Sequence, residues 1–410
     1  MCNSNIVSNL FLRQENNTKK AEPNKLNFIE GEYKSQLKNL FKSFTYIKNV
    51  ITICDDLNIN YLKEYTNYLS AQGIETFNLI LESKQIYSLT DFSQLFNLNK
   101  NPQAVVCFGG KTASVAKYFA SINNLPIIYI ITDYAFEFAL TKYSFILLND
   151  KCERVETKAQ KFVVFDTNLI NNITNEAFLD AYLLVKSKTC ALMNARALGV
   201  LEEIKPNQAL LKIVSDSIEG VDVNAINKVG VAYALLVISY AHCYEEGFSV
   251  CSDEVLLQKY VMPDTKNEGL IRFYLFNILT KLYYLFDVKN IDNNLSVPNY
   301  NERISWAKQN TLVLEEDLIN YFLQHSKVDN LYVQKLKPAK RYLKYTQQEL
   351  FEIEEKVYSK YIELGGKKEA ILEIDESKLK EGLYYLCDVP YAYTLLDLLR
   401  DAGILEFLNK

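Results

Sequence analysis

The sequence contains very little histidine, since only His242 and His325 occur among its 410 residues. Histidine is the commonest metal ligand and general base in proteins, so few candidates exist for either role. Cysteine is present but scattered, because its eight copies form no CxxC pair. This pattern argues against a disulfide framework and predicts reduced thiols that are mostly buried.

Long apolar runs and an excess of basic charge are also missing. No stretch approaches the roughly 20 apolar residues that span a bilayer, and Met1–Asn17 lacks the pattern of a signal peptide. The formal net charge is -5, which argues against a nucleic-acid binder. We therefore expect a cytoplasmic protein that has no membrane span and does not bind nucleic acid.

The most informative segment that is present is Gln103–Thr132. Its apolar run Ala104–Phe108 is typical of a strand buried on both faces, and Gly109-Gly110 permits a tight turn with close backbone approach. A helical pattern follows from Thr112, so the first amides of that helix would face an anion above the glycines. The segment predicts a place for a dinucleotide, although a purely structural turn stays open as an alternative.

The pattern of strands and helices changes partway along the chain. Strand and helix patterns alternate from Leu26 to Ile170, whereas only helical spacing follows, beginning with Glu176–Leu201. We therefore predict a Rossmann-like α/β domain with a parallel sheet over residues 26–170 and an all-α C-terminal domain over residues 171–410. Residues 1–25 are polar and aperiodic, which favours a flexible tail.

Several short motifs follow one another in an order that resembles a known family. Phe108–Lys111 stands where that family has GGGS, and Pro126–Thr132 resembles its P-x-x-x-VPT strand. Lys188–Leu192 resembles its K-y-t-A-l helix, and Tyr393–Leu405 (YTLLDLLRDAGIL) resembles its RyTiLdll-x-x-GiL terminus. From about Asn27 to its end, the chain resembles the sn-glycerol-1-phosphate dehydrogenase branch of the iron-containing alcohol dehydrogenase and dehydroquinate synthase superfamily.

This resemblance implies a dehydroquinate synthase-like fold, NAD(P) as cofactor and a zinc or iron ion. It implies that Gly109, Gly110, Lys111 and Thr132 contact the cofactor. Asp55 ends the first predicted strand, where a carboxylate accepts hydrogen bonds from adenosine ribose hydroxyls in such domains. An aspartate at that position also caps helices, so both interpretations of Asp55 stay open.

The metal-ligand positions implied by the resemblance hold no ligands here. The family binds its metal with one Asp and two His, and by spacing the first two of these positions carry Leu184 and Val255. The third falls in Asn267–Leu270, which contains no His. We therefore predict that the metal site is lost and that apolar side chains fill the former cavity. If the reaction survives, Lys188 and Glu254 remain as catalytic polar groups in the cleft.

Two functions from different classes stay open. The first is a degenerate, metal-free homologue that is retained as a nucleotide-binding, regulatory or structural protein. The second is an active NAD(P)-dependent oxidoreductase that reduces dihydroxyacetone phosphate or a similar small ketone with an altered metal site. The resemblance also implies a homo-oligomer, namely a dimer, and a small phosphorylated substrate or a nucleotide as ligand.

Overall fold

A computed structural model defines the fold. It describes residues 26–44, 46–84, 87–98, 101–136, 143–148, 151–157, 161–200, 207–222, 224–244, 253–262, 265–284, 300–310, 354–386 and 394–401, with a few single residues besides. The tail predicted at residues 1–25 and His325 lie outside the described residues. Among the described helices, none is both long and apolar enough to cross a membrane.

In the described part of the chain the strands come before residue 166. They are β1 (Leu26–Glu30), β2 (Asn49–Asp55), β3 (Glu75–Leu81), β4 (Tyr87–Ser88), β5 (Ala104–Phe108), β6 (Ile127–Ile130), β7 (Tyr143–Leu148), β8 (Lys151–Glu156) and β9 (Lys161–Phe165). The α-helices among the described elements are α1 (Tyr33–Ser43), α2 (Ile59–Ala71), α3 (Ala113–Asn123), α4 (Thr167–Asn171), α5 (Asn175–Ser187), α6 (Thr189–Val200), α7 (Gln208–Gly220), α8 (Lys228–Tyr244), α9 (Asp253–Val261), α10 (Glu268–Tyr284), α11 (Tyr300–Asn310), α12 (Glu376–Tyr385) and α13 (Leu395–Asp401).

The main sheet is six-stranded, in the order β1-β9-β6-β5-β2-β3. All of its neighbouring strands pair in parallel. Every residue of β5 and β6 is buried, as the continuous apolar runs of a central parallel strand require. A smaller sheet joins β4, β7 and β8. The parallel sheet confirms the predicted α/β class of the N-terminal part.

Three neighbouring strands bring the predicted cofactor residues together. Strands β2, β5 and β6 run parallel, so their carboxyl ends meet at one edge of the sheet. Asp55 ends β2, Gly109-Gly110 follows β5, and Thr132 lies just after β6. The side chain of Phe108 belongs to the hydrophobic core, with its ring 5.5 Å from that of Tyr65.

The chain divides into two compact units. The first comprises Met1–Phe178 and Asn227–Cys243, and the second comprises Leu179–Ile226 and Tyr244–Lys410. Helix α8 therefore groups with the α/β part, whereas the sequence predicts one boundary at residue 170. The secondary-structure elements described in the second unit are all helices.

The long helix predicted over Glu176–Leu201 is interrupted. Helix α5 ends at Ser187 and α6 begins at Thr189, with Lys188 in a turn between them. The Lys188 N–H bonds the Val185 carbonyl at 3.3 Å, three residues back, and the Ser187 hydroxyl donates to the Leu184 carbonyl at 2.8 Å. These bonds tighten the end of α5, so that the helix stops before Lys188 and α6 begins after it.

Candidate functional site

The glycine turn after β5 holds a carboxylate of the protein itself. The N–H of Gly110 donates to both oxygens of Asp133, each at 3.0 Å, and the N–H of Ala135 donates to Oδ1 at 2.8 Å. Concave groups of backbone N–H are anion sites in many proteins. The Asp133 carboxylate therefore lies where the turn would otherwise receive an anion from a ligand.

Both glycines are needed by this internal contact. Gly109 has φ of +86°, and a Cβ there would lie 2.7 Å from Asp133 Oδ2. A Cβ at Gly110 would lie 1.9 Å from the carbonyl oxygen of Ala135, which is closer than any real Cβ contact. The close backbone approach that the glycines permit is thus made by the segment 133–135.

The first amides of α3 are also bonded within the chain. The N–H of Ala113 donates to the Gly110 carbonyl at 3.1 Å, and that of Ser114 donates to the Lys111 carbonyl at 3.3 Å. The Thr112 hydroxyl donates to the Phe108 carbonyl at 2.8 Å. The turn and the start of α3 therefore form a local hydrogen-bond network within the chain.

Asp55 caps the short 3-10 turn that follows β2. Its Oδ1 accepts the N–H of Asn58 at 3.1 Å and the Asn58 side-chain amide at 2.7 Å. Burial raises the pKa of Asp55, and the negative charge of Asp133 adds to that rise. Burial also raises the pKa of Asp133, opposed by its backbone N–H donors and by Lys111. Two carboxylates within electrostatic reach of each other make this edge unfavourable for a phosphate.

The predicted cofactor residues therefore lie at one edge of the parallel sheet: Asp55, Gly109, Gly110 and Thr132. Lys111 lies close enough to lower the pKa of Asp133. Thr132 Oγ1 would lie 3.5 Å from a Cβ at Gly109. Asp133 was not among the predicted site residues, although it lies three residues after the end of β6, near the edge where Asp55 ends β2. In this conformation the turn does not fit a dinucleotide phosphate, because its Gly110 amide already binds an anion.

The two predicted catalytic residues lie together in the helical unit. Lys188 Nζ is 3.6 Å from Glu254 Oε1, and both side chains are 0% exposed. Burial raises the pKa of Glu254, while the charge of Lys188 lowers it. Neither side chain has surface in contact with solvent, so neither can touch a ketone substrate in this conformation.

The surroundings of this ion pair are polar and tightly bonded. Asp253, which precedes Glu254, is 2% exposed. It accepts the Asn194 side-chain amide at 3.0 Å and the Tyr283 hydroxyl at 2.7 Å. Asn194 Oδ1 in turn accepts the N–H of Leu395 at 3.1 Å. These bonds join α6, α9, α10 and α13, which indicates a structural role for this network.

A second carboxylate lies where α5 meets the start of α10. Asp180 accepts the N–H of Gly269 and that of Leu270, each at 3.0 Å. Burial raises the pKa of Asp180 to about 6, although both amides lower it. Leu184, the residue predicted at the metal-binding aspartate position, lies one turn further along α5 and is buried. The carboxylate of Asp180 therefore lies on α5 one turn before Leu184, the position at which the resemblance implies a metal-binding aspartate.

An arginine is buried at the same junction. Arg272 is 2% exposed, and its Nη2 lies 3.0 Å from Glu268 Oε2. Its Nε donates to Gln258 Oε1 at 3.3 Å. The sequence predicts apolar side chains in this region, and beside the buried Leu184 the structure adds an ion pair in which Arg272 is buried and the Glu268 side chain is 18% exposed. The absence of the family's second His could be read from the sequence, whereas the pairing of Glu268 with Arg272 near that position depends on the fold.

The residues present do not fit the family's metal. In the described part of the chain, no three His, Cys, Asp or Glu side chains lie close enough together to hold a metal ion. The side chain of His242 lies outside that part. The Asp180 carboxylate accepts hydrogen bonds from two backbone amides. The Glu268 carboxylate pairs with the guanidinium of Arg272.

Comparison with known proteins shows the fold. No family model and no curated protein sequence matches the chain. Sulfoacetaldehyde reductase from Bifidobacterium kashiwanohense, solved in complex with NAD+, aligns with a TM-score of 0.57 at 10% identity, covering 95% of this chain and 98% of that chain. The iron-containing alcohol dehydrogenase from Thermococcus thioreducens gives 0.51 at 14% identity, covering 94% and 98%.

Maleylacetate reductase from Agrobacterium tumefaciens aligns with a TM-score of 0.51 at 12% identity, covering 96% of this chain and 97% of that chain. These alignments extend over both units of the chain. They confirm the predicted fold of an α/β domain followed by a helical domain. The protein has the fold of the iron-containing alcohol dehydrogenases.

Proposed function

We propose that this chain is a degenerate, glycerol-1-phosphate dehydrogenase-like protein that keeps the dehydrogenase fold without NAD(P)-dependent reduction. The observation that supports this proposal is the carboxylate of Asp133 on the amide of Gly110. The glycerol-1-phosphate branch rests on the sequence motifs, above all Tyr393–Leu405. Its retained role is structural or regulatory, as a homodimer.

Binding of a dinucleotide would have to displace this internal carboxylate. Hydrogen bonds to a charged group contribute about 1.5–3 kcal/mol each, and Asp133 accepts them from Gly110 and Ala135. A phosphate would replace the first bond but not the second, and it would lie beside the charges of Asp133 and Asp55. Since 1.4 kcal/mol is tenfold in affinity, we expect dinucleotide binding to be weakened by about a hundredfold or more.

The second candidate is an active oxidoreductase for dihydroxyacetone phosphate or a similar small ketone. The observation that favours it is the Lys188–Glu254 pair, whose members the sequence assigns to catalysis and which lie 3.6 Å apart. Their complete burial counts against it, because a catalytic group must reach the reacting atoms of its substrate. This function therefore requires a conformation in which the pair becomes exposed.

An assay of reduction separates the two candidates. We expect purified protein to oxidise neither NADH nor NADPH in the presence of dihydroxyacetone phosphate, with or without added zinc or ferrous iron. The absorbance of the reduced cofactor is the readout, and a working glycerol-1-phosphate dehydrogenase is the positive control. Substrate-dependent oxidation by the wild type would overturn the proposal. Its loss in Lys188→Met protein that circular dichroism shows to be folded, but not in the surface variant Lys34→Met, would favour the second candidate.

A further inference from the structure

The buried guanidinium of Arg272 lies where helices α5, α9 and α10 meet. Arg272 of α10 bonds Glu268 on its own helix and Gln258 on α9, and it acts on the charge of Asp180 on α5. We propose that the guanidinium of Arg272 is a built-in cation that takes the place of the divalent metal expected at this junction. All of these residues belong to the helical unit, so a test of their role does not depend on the glycine turn.

The three chain segments that the resemblance assigns to the metal lie close to one another at this junction. A Cβ at Gly269 would lie 3.0 Å from the backbone nitrogen of Leu184, so the first and third segments are in contact. The second segment contributes Val255, which lies three residues before Gln258 on α9 and therefore on a neighbouring part of the same helix face. Gln258 accepts a bond from Arg272.

Arg272 offsets part of the negative charge at the junction, where Asp180 and Glu268 both contribute carboxylates. Glu268 raises the pKa of Asp180 and Arg272 lowers it, which places both charges within reach of that carboxylate. Arginine keeps its positive charge at any pH that proteins tolerate. A divalent cation among these residues would meet the guanidinium directly. With about 5 Å between such charges, even the dielectric of water reduces metal affinity by roughly tenfold.

Removal of the guanidinium would leave an oxygen-rich group of side chains. Asp180, Glu268 and Gln258 then offer two carboxylates and an amide oxygen. Oxygen donors of this kind suit manganese or magnesium better than zinc. Manganese is therefore the sensitive probe, since its binding can be followed by electron paramagnetic resonance.

The test compares manganese binding by the wild type, Arg272→Met and the double variant Arg272→Met with Asp180→Asn. We expect no binding at the junction in the wild type, a gain of roughly tenfold or more in Arg272→Met, and loss of that gain in the double variant. Arg196→Met, which removes a partly buried arginine bonded to Ser215 at 3.1 Å, is the matched control and should gain nothing.

Two results would overturn the proposal. One is stoichiometric binding of manganese or zinc by the wild type that Asp180→Asn abolishes. The other is a folded Arg272→Met protein that binds manganese no better than the wild type. If circular dichroism shows that Arg272→Met does not fold, Arg272→Gln takes its place, because glutamine keeps polar contacts while it removes the charge.

Discussion

Lys188→Met is expected to lower the free energy of unfolding by about 3–5 kcal/mol, the usual cost of breaking a buried ion pair from one side. Lys188 and Glu254 are both fully buried, 3.6 Å apart. Methionine fills most of the space of the lysine stem but leaves the Glu254 carboxylate without its countercharge. Burial already raises the pKa of that carboxyl, so the variant should favour its protonated form.

Urea unfolding at neutral pH measures this loss. Lys34→Met is the matched control, because Lys34 pairs with Glu64 at 2.7 Å with side chains that are 41% and 56% exposed. Exposed pairs contribute only about 0.2–1 kcal/mol. The double variant Lys188→Met with Glu254→Gln should recover part of the loss, since no unpaired charge is left. If Lys188→Met lowers the free energy of unfolding by no more than Lys34→Met does, Lys188 and Glu254 do not form a buried charge pair.

Gly269→Ala is expected to destabilise the helical unit by about 3 kcal/mol, through overpacking and a weakened helix cap. A Cβ at Gly269 would lie 1.8 Å from the carbonyl oxygen of Asp180. This contact is with backbone, so α10 must shift away from α5. The shift would also stretch the bonds from Gly269 and Leu270 to the Asp180 carboxylate.

Gly230→Ala supplies a matched comparison in the other unit. Gly230 lies in the first turn of α8, as Gly269 lies in the first turn of α10. The atoms nearest to a Cβ at Gly230 belong to the Asn227 side chain, at 3.3 Å. This side chain accepts the N–H of Gly230 at 2.8 Å, and it would have to give by only a few tenths of an ångström. Since alanine favours helix by about 0.5–1 kcal/mol over glycine, Gly230→Ala should be neutral or stabilising. Equal losses in thermal unfolding for both variants would contradict the tight packing of α10 on α5.

Local patterns were sufficient for much of the α/β fold. The apolar run of β5 and the spacing of α3 are properties of consecutive residues, so the sequence predicts both closely. Asp55 and the glycine pair Gly109-Gly110 lie at the same edge of the sheet because β2 and β5 pair in parallel. The role of Asp133 could not be predicted in this way, because it depends on how the segment after β6 folds back over the turn.

Helical periodicity also explains why the metal-binding aspartate position was assigned to Leu184 although the carboxylate on this helix belongs to Asp180. Residues four apart lie on one face of a helix, so spacing from Lys188 cannot distinguish a position from the one a turn earlier. The turn at Lys188 breaks the helix from which that spacing was counted. The burial of Arg272 is a tertiary property, since a Glu-x-x-x-Arg pair on a helix is usually a surface feature.

Calorimetric titration with NADH tests the central claim most directly, in the wild type, Asp133→Asn and Asp133→Ser. Asparagine keeps an oxygen for the Gly110 amide without the charge, whereas serine is too short to fill the same position. We predict no measurable binding by the wild type, a small gain for Asp133→Asn, and a gain of about a hundredfold for Asp133→Ser. Tight binding of NADH by the wild type, unchanged in both variants, would contradict a glycine turn that is closed by its own carboxylate.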